Sequence, residues 1–163
     1  MSRLDSFIRR MQAQRDCLDI LAGLIGAVPG PVIELGLGDG RTYDHLRGLF
    51  PDRAIFAFDR QNAAHPDSAP DADHMILGDF DRTLPAALHR IGRPAALIHC
   101  DFGSSDRNID AQVATAIAPL LVPLLAPGGV VASDQSLPEV GWTPLTLPPT
   151  LAAGRYFIWR SVR

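Results

Sequence analysis

The sequence has no lysine: all 15 of its basic residues are arginine. That excludes Schiff-base chemistry and lysine nucleophiles. It also excludes a Walker-type phosphate loop, which requires its lysine. Glutamate is almost as scarce, with only Glu34 and Glu139 beside a large excess of aspartate. The two cysteines, Cys17 and Cys100, lie in apolar surroundings and form no CxxC pair, so the chain reads as cytoplasmic and reduced, with no metal–thiolate site. No long apolar run is present. The longest, residues 116–126, is interrupted by Pro119 and Pro123 and falls well short of the roughly 20 residues of a membrane span. Met1–Arg10 is amphipathic and charged, unlike a signal peptide. Basic excess is also missing. A net charge of −3 and a pI of about 5.9 lead us to expect no nucleic-acid partner and no membrane association.

What is there suits one globular domain. The chain has 163 residues, 47% of them hydrophobic and 20% charged, enough to bury a core of its own. Ser2 to Ala27 repeats apolar residues at helical spacing (Leu4, Phe7, Ile8, Met11, Leu18, Leu21, Ile25), opens with a Ser2/Asp5 cap pattern and stops at Pro29-Gly30-Pro31. The texture then changes. Short apolar runs at 31–35, 53–59, 74–79, 95–101 and 129–134 read as strands, with helices over 41–50, 84–91 and 109–125. Nearly continuous apolar strands that alternate with helices imply parallel pairing buried on both faces. Residues 60–73 carry Pro66 and Pro70 and read as an irregular crossover. Residues 142–147 and 155–162 read as two further strands at one sheet edge, the last antiparallel. The expected fold is therefore α/β, a Rossmann-like doubly wound sheet of about seven strands with helices on both faces and an extra N-terminal helix. We expect a single domain over 1–163, divided into the helix at 1–28, a core at 31–134 and edge strands at 142–162.

The sharpest local signal is Glu34-Leu35-Gly36-Leu37-Gly38-Asp39-Gly40-Arg41, between a strand and a helix. Glycines let the chain turn tightly and let a ligand approach the backbone. The helix that follows offers free N–H groups. An open parallel sheet binds ligands beyond the carboxyl ends of its strands. The spacing is GxGxG rather than the GxGxxG of dinucleotide binders, with an acid two residues before the first glycine. In this it resembles the first motif of class I S-adenosyl-L-methionine-dependent methyltransferases.

The resemblance runs over about 31–134. Asp59 ends the second strand, nineteen residues after Gly40; Gly78-Asp79-Phe80 ends the third; Asp101 ends the fourth; Pro127-Gly128-Gly129 precedes the fifth. The flanking runs QAQRDCLD, ELGLGDGRTYDHLR and FDR are similar to a small group of bacterial methyltransferase-like proteins. The resemblance implies S-adenosyl-L-methionine as cofactor and S-adenosyl-L-homocysteine as product. It implies a methionine cradle of Glu34, Gly36, Leu37, Gly38, Asp39, Gly40 and Thr42. Asp59, with Arg60, would meet the ribose hydroxyls, and Gly78, Asp79 and Phe80 the adenine. Asp101 would lie nearest the transferred methyl and is the candidate catalytic residue.

In-line methyl transfer needs position and dryness more than a particular side chain, and it needs a base only where the acceptor keeps a proton. Asp101 with Asp134 and Gln135 also resembles the divalent-cation site of catechol-type O-methyltransferases, which hard oxygen ligands would suit to magnesium or calcium. The simpler reading, and the one we expect, is that no metal is bound: Asp101 touches the cofactor and Asp134 caps a loop. His99 reads as a buried strand residue. The expected acceptor is a small molecule. The recurrence of Leu4, Met11, Leu18 and Ile25 every seven residues also admits a homodimer contact through the first helix, against the simpler reading that it packs on the sheet. Two rival functions remain at this level: a non-catalytic cofactor-binding or interaction protein, and an NAD(P)-linked oxidoreductase. The glycine spacing argues against the second.

Overall fold

In the computed structural model, which describes residues 2–104, 106–149, 151 and 154–162, the chain begins with a 22-residue helix, α1 (Arg3–Leu24). Its start is fixed by the capping box expected from the sequence. The Ser2 hydroxyl accepts from the Asp5 N–H at 3.0 Å, and the Asp5 carboxylate accepts from the Ser2 N–H at 3.0 Å. The remaining elements are β1 (Val32–Leu35), α2 (Arg41–Leu49), β2 (Ile55–Asp59), β3 (Met75–Leu77), α3 (Phe80–Ile91), β4 (Ala95–Cys100), α4 (Arg107–Leu121), β5 (Leu125–Ser133), β6 (Thr143–Pro144) and β7 (Phe157–Arg160).

The seven strands form one sheet in the order β3-β2-β1-β4-β5-β7-β6. The first five in that order pair parallel, and β7 is antiparallel to both β5 and β6. This is the doubly wound sheet with an antiparallel edge that the sequence implied. Side chains alternate across it. Val32, Ala57, Leu97, Val130 and Ile158 join the core beneath α1 and α2. Ile33, Phe58, Ile98 and Val131 join the core beneath α3 and α4.

Several boundaries differ from the sequence reading. Helix α3 starts at Phe80, not 84, with Asp79 in extended N-cap geometry and Pro85 accommodated inside the helix. Helix α4 ends at Leu121, and residues 122–124 form a short 3-10 turn with Pro123 near its start. Strand β5 then begins at Leu125, four residues before Gly129. Its register on β4 slips between the Ala95↔Leu125 and Leu97↔Val130 pairs, where Pro127 has no N–H to give and Gly128 takes φ +73. The strand expected at 142–147 shrinks to two residues, Thr143 and Pro144. The crossover at 60–73 holds only a turn of 3-10 helix over Pro66–Ser68.

The heptad series of α1 is divided between two roles. Leu18 and Ile25 are 1% and 0% exposed inside the core, whereas Leu4 is 65% exposed. A seam along the whole helix is therefore not available for a partner, and the helix packs on its own sheet. Its C-terminal end is held by side chains from elsewhere. The Arg53 guanidinium donates to the carbonyls of Ile25, Val28 and Gly30 at 3.1, 2.8 and 2.7 Å. Arg160, on β7, reaches the carbonyl of Leu24 at 3.4 Å. These cations supply what α1 lacks, since its last turn has no basic residue.

Candidate active site

The carboxyl ends of β1, β2, β4 and β5 open on one edge of the sheet, and the glycine loop lies across them. Gly36 and Gly40 hold φ +91 and +85, conformations that L side chains rarely adopt. A methyl group at Gly36 would also strike the carbonyl oxygen of Asp101. The loop is laid directly on the end of β4, and only a residue without a side chain allows it.

Glu34 supports the loop from below. Its carboxylate is fully buried. One oxygen accepts from the Thr42 hydroxyl at the start of α2. The other accepts from Nδ1 of His99 at 2.7 Å. Glu34 thus ties β1 to α2 and to β4, and it does not line the cavity above. His99 is equally buried, and its ring stacks on that of Tyr156 with centroids 5.9 Å apart. Burial pulls its pKa down, but the charge and hydrogen bond of Glu34 outweigh that and raise it overall. Its other ring nitrogen, Nε2, has no partner among the described residues.

Asp59 ties the loop to β2. Its Oδ2 accepts from the N–H groups of Leu37 and Gly38 at 2.9 and 3.2 Å. Its Oδ1 takes only a long bond from the Gln61 N–H, at 3.4 Å. Asp39 pairs with Arg41 at 2.5 Å, and Arg60 with Asp79 at 3.1 Å. Phe80 meets Phe102 edge-on, with centroids 6.0 Å apart.

Two adjoining cavities result. One, of about 880 Å³, is lined by Asp59, Arg60, Gly78, Asp79, Phe80 and Phe102. The other, of about 720 Å³, is lined by Gln14, Thr42, Asp134, Gln135 and Tyr156 among others. They share Gly36, Gly38, Asp101, Gly103, Ser104 and Asp110. The structure therefore brings Gly36, Leu37, Gly38, Asp39, Thr42, Asp59, Arg60, Gly78, Asp79, Phe80 and Asp101 to the walls of a continuous depression. Glu34 lies beneath them, and Gly40 forms the N-cap of α2.

Asp101 stands at the junction. Gln14, from α1, donates to its Oδ2 at 2.5 Å. Its other oxygen has no protein donor among the described residues. Asp134, at the end of β5, has Oδ2 held by Nε2 of Gln135 at 3.1 Å, while Oδ1 is buried with no partner among the described residues. Burial, then the neighbouring charge of Asp101, lifts the Asp134 pKa to about 6. Asp101, Asp134 and Gln135 line the same cavity. Gln135 turns its amide nitrogen, a donor, toward Asp134, and Asp101 is engaged by Gln14. Among the described residues no group of three acidic, histidine or cysteine side chains is placed to hold a metal ion.

Gln14, Phe102, Gly103 and Tyr156 were missed by the sequence reading. Only Gln14 left a signal. It is a polar residue three after Met11 and four before Leu18, in the buried stripe of α1. Gly103 makes room: a methyl group there would come within 2.5 Å of Asp134 Oδ2 and 2.9 Å of Gln135 Nε2.

The donor set fits S-adenosyl-L-methionine on this structure's own terms. A glycine loop laid on the end of β4 at Gly36, a carboxylate at the end of β2, and an aromatic pair of Phe80 at the start of α3 and Phe102 just after β4 lie along the strand ends. Comparison with known proteins agrees. The family model described as S-adenosyl-L-methionine methyltransferase matches residues 1–161. A crystal structure of an S-adenosyl-L-methionine methyltransferase from Silicibacter pomeroyi DSS-3 is 46% identical, covers 98% of both chains and superposes with a TM-score of 0.91. The TDP-rhamnose 3′-O-methyltransferase of calicheamicin biosynthesis, at 23% identity, 97% of this chain, 83% of that one and a TM-score of 0.66, shares the fold. So does an N-methyltransferase from Bradyrhizobium japonicum WM9, at 14% identity, 94% and 97% coverage and a TM-score of 0.58. No curated protein matches the sequence. The chain belongs to the S-adenosyl-L-methionine methyltransferase family.

Proposed function

We propose that this methyltransferase acts on a small-molecule acceptor, bound in the 720 Å³ cavity beside Asp134, with the cofactor spanning the junction at Gly36 and Asp101. The observation that supports this reading is the pair of cavities sharing Gly36, Gly38 and Asp101. Two binding sites that meet at one point are what transfer between two bound molecules requires.

When bound, the cofactor supplies an electrophilic methyl group on a sulfonium. The chain's residues hold and shield. Oδ1 of Asp59 accepts from ribose hydroxyls, its Oδ2 being occupied by the loop. Asp79 accepts from the adenine amino group, and Phe80 and Phe102 give the ring an apolar bed. The loop from Gly36 to Gly40 brings its backbone up to the methionine part, with Glu34 and Thr42 fixing its far end. Asp101 is the catalytic candidate: held by Gln14, it presents its remaining oxygen at the junction, where it orients the reacting groups. Cofactor binding is assigned to residues 31–134, within one domain over 1–163. Helix α1 and residues 154–157, leading into β7, wall the acceptor side.

Calorimetric titration with S-adenosyl-L-methionine, S-adenosyl-L-homocysteine and NADH tests the assignment. Micromolar binding of the first two, weakened about tenfold or more in Asp59→Ala as a charged hydrogen-bond partner is removed, is the expected result. Binding of NADH alone refutes it. A panel of hydroxyl and amine acceptors then tests turnover.

A further inference from the structure

The acceptor cavity is lined by four aspartates and four arginines: Asp39, Asp101, Asp110 and Asp134 against Arg10, Arg41, Arg107 and Arg155. Most of them are engaged. Asp39 pairs with Arg41, Asp101 takes Gln14, and Asp110 accepts from the Ser104 N–H at 2.8 Å. Arg10 and Arg41 lie over the ring of Phe7, at 5.6 and 5.9 Å from its centre. Three groups are left. Arg107 and Arg155 make no ion pair, hydrogen bond or ring contact among the described residues, and both are exposed at the mouth. Oδ1 of Asp134 is buried at the wall with no partner among the described residues.

We propose that the methyl acceptor is a small anion whose carboxylate or phosphate is bound by Arg107 and Arg155 and whose hydroxyl or amine donates to Oδ1 of Asp134. The inference rests on the reading of this cavity as the acceptor site. A guanidinium presents paired N–H donors that match the oxygens of carboxylate and phosphate. An acceptor oxygen buried without a donor is unfavourable, so a ligand that supplies the donor is favoured there. The two features are independent. One comes from α4 and the segment before β7, the other from the end of β5. Together they describe a molecule with an acid at one end and an X–H group at the other. Arg10 and Arg41, on the α1 and α2 side, stay with Phe7 beside the glycine loop.

The test is calorimetric titration of the protein loaded with S-adenosyl-L-homocysteine, at low ionic strength, with inorganic phosphate and separately with malonate. Wild type and the R107Q/R155Q double variant are compared, each first titrated with S-adenosyl-L-homocysteine alone. We expect one of the two anions to bind the loaded wild type. That binding weakens about tenfold or more in the double variant, with the affinity for S-adenosyl-L-homocysteine unchanged. Which anion binds tells phosphate from carboxylate. Normal S-adenosyl-L-homocysteine binding with neither anion bound, or with both bound equally by the double variant, overturns the proposal. So does loss of S-adenosyl-L-homocysteine binding in the double variant, which would give the arginines to the cofactor. Failure of wild type to bind S-adenosyl-L-homocysteine refutes the reading of the site itself, and this inference with it.

Discussion

Gly36 carries two constraints at one atom. Its φ of +91 disfavours any side chain, and the space a methyl group would fill is held by the backbone of Asp101. Gly36→Ala is therefore expected to lower stability by about 2 kcal/mol or more and to abolish S-adenosyl-L-homocysteine binding, as read by urea unfolding and calorimetry. Gly38→Ala is the contrast. Its φ is +53, but nothing lies within 4 Å of the added carbon, so the loss should be smaller. Asp134 makes a pH prediction. Its pKa rises from 3.8 in the unfolded chain to about 6 in the fold. The folded state then binds the proton more tightly, so this group favours folding at low pH and opposes it increasingly as pH climbs from 4 through 6. Asp134→Asn removes that opposition. Relative to wild type the variant should gain about 2 kcal/mol between pH 4 and pH 8, measured as the difference in urea unfolding free energy at the two pH values. An equal difference at both would show that Asp134 ionises in the fold as freely as in the unfolded chain.

Within α1, position decides effect. Leu18→Ala, at 1% exposure, should cost about 2–5 kcal/mol by leaving a cavity under the helix. Leu4→Ala, at 65% exposure, should stay within about 0.5 kcal/mol. A concentration-dependent loss at Leu4 would instead reveal a partner there. The element scale is also where the sequence was most legible. Five apolar runs between helical stretches dictate a parallel sheet, and an acid or a glycine at each strand end marks the edge where ligands bind. What could not be read is what joins residues far apart in the chain. Glu34 meets His99 across 65 positions, and Gln14 meets Asp101 across 87. Periodicity carries no information about either. Glu34, read as a cradle residue, thus emerges as a strut beneath the cradle. The start of α3 was hidden for a different reason. The segment 79–83 holds three charged residues, and only extended geometry at Asp79 lets the helix begin there.

For the molecule as a whole, the proposed cofactor site draws on several strand ends and the glycine loop at once, so ligand binding there would report on the whole fold. Saturation with S-adenosyl-L-homocysteine at about one hundred times its Kd should add about 2.7 kcal/mol and raise Tm by about 5–10 °C. Thermal unfolding with and without the ligand checks this, and no shift would mean that the site does not form in the native state. The clamp on α1 has a consequence for truncation. The carbonyls of Leu24 and Ile25 at the end of the helix are met by Arg160 on β7 and by Arg53. The element that carries Gln14 is thus fastened in part by the strand farthest from it in sequence, and a chain cut before residue 160 would keep its glycine loop yet lose one fastening of the wall beside Asp101.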